Sequence, residues 1–181
     1  MRNKILAGLL FGMVLSPAFA DVADSGTGGF TVKVVTNIKA PPAEVYRRLV
    51  RNVGEWWNST HTFSHDAHNL SIEDRAMGCF CEKLANGGSV RHMEVVYANP
   101  GTALRLIGAI GPLQGLAVTG AMTFDLSAAD GGTKLEVTYA VGGYMPGPGM
   151  APIAAPTDQV LADQCSRLKH YIEDGKPTAK N

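Results

Sequence analysis

The sequence predicts an α+β domain: a curved antiparallel sheet of about six to seven strands closed around one long C-terminal helix, with two short helices after the first strand. Three observations lead there. The stretch 156–174, PTDQVLADQCSRLKHYIED, places Leu161, Cys165, Leu168 and Ile172 at i, i+4, i+7 and i+11, the spacing of a single apolar helix face. Most of what precedes it alternates apolar and polar residues as half-buried strands do. Turn signals at Asn86-Gly87-Gly88, Asn99-Pro100-Gly101 and Asp130-Gly131-Gly132 separate these segments at hairpin intervals.

Taken in order, Arg2 and Lys4 precede an uncharged run from Ile5 to Leu15, and Ala18-Phe19-Ala20 supplies small residues where a signal peptidase reads. Residues 1–20 therefore read as a signal peptide cleaved after Ala20, with a periplasmic or secreted destination. The run is shorter than the roughly 20 residues a spanning helix needs, so no stable membrane insertion is expected once the signal is removed. Residues 21–29, ending in DSGTGG, read as a flexible leader, 30–175 as the domain and 176–181 as a tail.

The segment 30–38, FTVKVVTNI, is the first strand. In 39–51, KAPPAEVYRRLVR, two prolines mark a helix start and Glu44 lies in the first turn. Val45, Tyr46, Leu49, Val50 and Val53 form its buried stripe. Gly54 interrupts the pattern before Glu55-Trp56-Trp57-Asn58, a short turn or helix. Strands follow at 69–74, 79–84, 89–98, 102–110, 118–126 and 133–144. In the last two, Met122, Phe124 and Leu126, then Leu135, Val137, Tyr139 and Val141, take alternate positions. The Pro/Gly-rich segment 142–152 reads as a long loop, Pro156 as the first position of the last helix, and Gly175 with Pro177 as its stop.

The full chain balances 16 basic against 16 acidic residues; without Arg2 and Lys4 it carries 14 against 16, a net charge of −2. Phosphate binding needs concentrated Lys and Arg, so nucleic acid is excluded as a partner. The glycine-rich segments lack the lysine and the strand-to-helix context of a phosphate loop.

The element order, the start IKAPPAEVY, the EWW after the first helix, LRLIGAIGPLQ and GGTKLEVTY resemble the SRPBCC or START-like superfamily. Within it, the chain is similar to bacterial polyketide cyclase/dehydrase-like proteins and to homologues of activators of the Hsp-ninety chaperone ATPase. The resemblance covers about residues 30–174. It implies a helix-grip fold whose sheet and C-terminal helix enclose a cavity for an apolar or amphipathic ligand. It brings no universal catalytic residues and no cofactor. Export departs from the chaperone-activator pattern, since an exported protein meets neither that chaperone nor ATP.

Candidate cavity residues are Trp56, Trp57, His61, Tyr139, Tyr144, Leu161, Cys165 and Leu168. Indoles and phenols offer apolar bulk with one polar handle, which suits a pocket, though core packing explains Trp56, Trp57 and Tyr139 equally well. The loop WWNSTHTFSHDAHNL brings His61, His65 and His68 together at spacings that can ligate zinc or copper, yet no supporting metal signature is present. His92 and Glu94 share a strand face, with Glu82 and Arg105 on neighbouring strands; a Glu-oriented His is a recognisable general base. Alternation with Met93, Val95, Leu104 and Leu106 turns these polar residues towards solvent, so no catalytic residue is assigned.

Cys79 and Cys81 stand on one side of a strand, about 6.6 Å apart at Cα from the strand rise, at the edge of disulfide geometry. No bond between them is expected. Cys165 faces the sheet and could pair with either, but three buried thiols are the simpler reading. The sequence favours a non-catalytic protein binding a small hydrophobic or amphipathic molecule. A cofactor-independent cyclase or hydratase-like enzyme in the same cavity is the first alternative, and metal binding by the loop 61–68 the second.

Overall fold

The computed structural model describes residues 19–178, which form eight strands and three α-helices. In chain order these are β1 (Phe19–Gly26), β2 (Gly29–Ile38), α1 (Pro42–Arg51), α2 (Val53–Trp56), β3 (Leu70–Ile72), β4 (Gly78–Lys83), β5 (Ser89–Asn99), β6 (Ala103–Gly108), β7 (Ala117–Ala129), β8 (Gly132–Tyr144) and α3 (Ala151–Asp174). One antiparallel sheet runs β1-β2-β8-β7-β6-β5-β4-β3. Every neighbour is a sequence neighbour except β2 and β8, and that pairing joins the first hairpin to the last.

The expected strands are present, and β1 makes one more. The stretch 21–29, expected as a flexible leader, supplies most of β1, with Val22 opposite Val32 and Ser25 opposite Phe30. Its composition suggests a linker, but the free edge of β2 gives its backbone a ladder to complete and Val22 packs against the core. The signal-peptide reading falls on residues 1–18, outside the described residues, and on the first two residues of β1.

Burial follows the period of each element. β2 buries Phe30, Val32, Val34, Thr36 and Ile38, and β8 buries Leu135, Val137, Tyr139 and Val141 from the same face. α1 contributes Val45, Tyr46, Leu49 and Val50, while Glu44 binds Arg47 and Arg48 on its outer side.

The last helix departs from expectation at its start. It begins at Ala151, with Pro152 in the first turn, so Pro156 lies inside it rather than at its first position. Pro156 forgoes only the bond its N–H would give the Pro152 carbonyl, and the Thr157 hydroxyl bonds the Ile153 carbonyl at 2.8 Å beside it. The turn before the helix is pinned to the β1–β2 connection by Met150 N–H to the Thr27 carbonyl, 3.0 Å.

α3 is anchored on both flanks. Leu161, Cys165 and Leu168 point into the core. The helix's polar residues and Tyr171 grip α1 and the end of α2: Arg167 donates to the Trp56 carbonyl at 2.9 Å, Asp163 accepts from the Asn58 side chain at 2.8 Å, and Arg48 donates to the Tyr171 hydroxyl at 3.2 Å. Lys169 reaches the Asn37 carbonyl at 2.6 Å, and Glu173 accepts from the Lys39 N–H at 2.7 Å.

Cys79 and Cys81 are joined by a disulfide, contrary to expectation. A β-bulge interrupts the β4–β5 register between Phe80 and Cys81 and shortens the Cα separation to 5.3 Å, inside the bonding range. Cys165 is the free thiol, its pKa pushed up to about 12 by burial.

Candidate functional site

A cavity of about 430 Å³ opens between the sheet, the loop after α2 and the first turns of α3. Ile153, Pro156, Thr157 and Val160 form its roof, spaced i, i+3, i+4 and i+7 along one stripe of α3. Trp57, Thr60, His61, Thr62 and Phe63 come from the loop, and Leu70, Phe80 and His92 from β3, β4 and β5. Ile110, Gly111, Pro112 and Leu113 come from the turn Gly111–Gly115 and the residue before it. The lining is mostly apolar and contains no Lys, Arg, Asp or Glu.

The loop that carries His61 is held rigidly. Trp57 donates its indole N–H to the His61 carbonyl at 3.2 Å and meets Phe80 edge-on at 5.4 Å between ring centroids. Gln164, 2% exposed on α3, accepts from the Asn58 N–H at 2.8 Å. That bond fixes which end of the Gln164 amide is the nitrogen, and the nitrogen lies 2.9 Å from His61 Nδ1. His61 Nδ1 is therefore an acceptor, and Nε2–H is the ring's donor.

At the other wall stands a buried pair. His92 Nε2 lies 2.9 Å from Glu82 Oε2, with the side chains 6% and 0% exposed. Glu82 also accepts from the backbone N–H groups of Phe63, at 3.1 Å, and Ser64. Burial pulls the Glu82 carboxyl upwards, but the bonds from Ser64, Phe63 and His92 outweigh it and hold it below the usual carboxylate range. Burial lowers His92, against the opposing pull of Glu82. The pair is thus an ionised carboxylate accepting from a neutral imidazole.

The strand alternation expected to turn His92 towards solvent fails at the β4–β5 bulge. Phe80 pairs with Met93 and Cys81 with Arg91, leaving His92 as the extra residue, so His92 and Met93 are both buried. Gly108, on β6, makes room. It has φ 150°, and a Cβ there would stand 2.8 Å from the His92 carbonyl oxygen and 3.0 Å from Met93 Cα. Glu94 stays outside, paired with Arg91 at 3.0 Å, and Arg105 lies outside against Thr123 and the Tyr97 ring.

Of the residues expected from sequence to line the cavity, Trp57 and His61 do so and the other six do not, while His92, expected to face solvent, lines it. Trp56 is core, donating to the Leu49 carbonyl at 3.3 Å. Tyr139 is fully buried beneath the wall: its hydroxyl accepts from Ile110 N–H at 3.4 Å and donates to the Gly108 carbonyl at 3.3 Å, and burial pushes its pKa up to about 12. Tyr144 is 71% exposed, while Leu161, Cys165 and Leu168 pack in the core below the roof.

The three loop histidines do not converge. His65 sits exposed at a positive φ of 59°, and His68 faces Asp66 at 2.9 Å, a contact that raises its pKa. Among the described residues no group of three or more His, Cys, Asp or Glu is placed to hold a metal.

Sheet, C-terminal helix and the cavity between them define a helix-grip fold. No family model and no curated protein matches the sequence. Among solved structures, the chain is similar to an uncharacterised protein from Rhizobium leguminosarum, at 17% identity over 88% of this chain and 99% of that one, TM-score 0.58. The Aha1 dimer from Colwellia psychrerythraea matches at 18% identity over 81% and 98%, TM-score 0.55. Ara h 8.0201 matches at 15% over 81% and 99%, TM-score 0.58. At these identities the likeness is one of fold.

Proposed function

We propose that this chain is an exported protein that binds a small apolar or amphipathic molecule in the cavity beneath α3. The observation that carries the reading is the cavity itself, about 430 Å³ with an apolar, uncharged lining interrupted by two histidines and three threonines. That size and polarity suit a drug-sized organic ligand and offer no counter-charge for an ionic one. Export enters on the N-terminal pattern; cleavage after Ala20 leaves Asp21 to Gly26 to pair with β2.

A neutral fluorescent probe, N-phenyl-1-naphthylamine, tests the binding. Its emission should rise on addition of the protein, and Thr157→Trp, which fills the roof, should abolish the rise while leaving the fold intact. Equal enhancement by both proteins would remove the cavity as the site. A second reading, turnover of the bound molecule without a cofactor, is favoured by the buried Glu82–His92 pair. A carrier releases its ligand chemically unchanged, whereas an enzyme converts it and loses that conversion when His92 is replaced.

A further inference from the structure

We infer that the cavity selects an apolar molecule bearing a neutral hydroxyl, a phenol, enol or alcohol, whose O–H donates to Nδ1 of His92. The inference rests on the proposed binding role of the cavity and adds the chemistry of what it takes.

The argument is a count of donors and acceptors. Glu82 is an acceptor only, and two backbone N–H groups already converge on it. The His92 nitrogen facing it must therefore be the N–H, which leaves Nδ1 as a lone-pair acceptor. Gln114 Nε2 makes a long bond to that nitrogen at 3.4 Å while also serving the Arg91 carbonyl at 3.1 Å, so it keeps a second acceptor when a ligand hydroxyl takes its place at Nδ1. Phe63 and Phe80 lie against the ring, at 5.9 and 5.1 Å between centroids. A hydrogen-bonding ligand atom must therefore meet the ring at its edge.

The threonines add no donors. Thr60 gives its hydroxyl proton to the Asn58 side chain at 2.8 Å, Thr62 to the Ser59 carbonyl at 2.7 Å and Thr157 to the Ile153 carbonyl at 2.8 Å. Each keeps lone pairs only. The Trp57 and His92 N–H groups are already given to the His61 carbonyl and to Glu82, so His61 Nε2–H is the donor the lining keeps for a ligand, against an acceptor at His92 and three at the threonines. The His92 acceptor is buried, and it stays poorly met unless the ligand brings a proton to donate. An anion would meet lone pairs and no cation.

The test compares 2-naphthol with 2-methoxynaphthalene, the same skeleton with the hydroxyl proton replaced by methyl, by calorimetric titration at neutral pH. The hydroxyl compound should bind roughly tenfold more tightly. In His92→Phe the ring keeps its place between Phe63 and Phe80 but carries no nitrogen. The preference should then fall to within about twofold, because no ring nitrogen is left to accept. A residue that merely packs would weaken both compounds alike and leave their ratio unchanged.

Equal affinities in the unaltered protein, or a ratio untouched by His92→Phe, would overturn the inference while leaving the cavity as a binding site. Binding of neither compound would overturn both. Should His92→Phe fail to fold, the ratio in the unaltered protein still decides.

Discussion

Replacing Gly108 with alanine tests what aims His92 into the cavity. The new Cβ would stand 2.8 Å from the His92 carbonyl oxygen and 3.0 Å from Met93 Cα. Both are backbone atoms of the bulge, so no flexible side chain can swing away. The φ of 150° adds strain for any residue with a Cβ. Overpacking together with an unfavourable φ costs about 2 kcal/mol, and for a domain of this size that lowers Tm by about 4 to 8 °C. Relief requires β6 to part from β5 or the bulge to flatten, and a flattened bulge returns His92 to the alternation that faces solvent. Gly28→Ala is the control, because no atom lies within 4 Å of its Cβ position. The assay is thermal unfolding of both variants beside 2-naphthol titration. If Gly108→Ala melts with the control and binds 2-naphthol normally, the account of the bulge is wrong.

Further expectations follow from the buried polar groups and the cysteines. Glu82 and His92 are both depressed below their ordinary values of 4.5 and 6.5, so the unfolded chain takes up more protons than the folded one and stability falls as pH falls. Thermal melts from pH 7 to pH 4 should show Tm declining first below about 6.5 through His92 and again below about 4.5 through Glu82, with the second decline shallower in Glu82→Gln. Gln164→Leu keeps the bulk but strands the half-buried Asn58 N–H and releases His61, so denaturant titration should show a loss of about 1–3 kcal/mol. A thiol count on denatured, unreduced protein should find one thiol, Cys165, rather than three.

The fold was legible because its signals are periodic. The stripe at Leu161, Cys165, Leu168 and Ile172 and the alternation of β7 and β8 need only residue type and spacing. The exceptions are places where a tertiary partner overrides a local rule. DSGTGG reads as a linker, yet the free edge of β2 recruits it as strand. Pro156 reads as a helix start, yet the pinned Met150 starts the helix a turn earlier. The site was less legible for the same reason. The bulge inserts one residue into β5, turns His92 inward and brings Cys79 and Cys81 within bonding reach. Its only trace in the sequence is Gly108, which is indistinguishable there from a turn glycine. The roof residues Ile153, Pro156, Thr157 and Val160 stayed hidden because the helix was read as beginning after the first of them.

The most direct test is an NMR measurement on methyl-labelled protein with bound N-phenyl-1-naphthylamine, reading which methyl groups the probe touches. Contacts from the probe to Ile153, Val160 and Leu113, which line the cavity, are the predicted result. The outer face of the sheet offers a rival apolar surface in Val96, Tyr97 and Ile107, 40%, 46% and 45% exposed. Contacts confined to Val96 and Ile107, with the cavity methyls silent, would contradict the account.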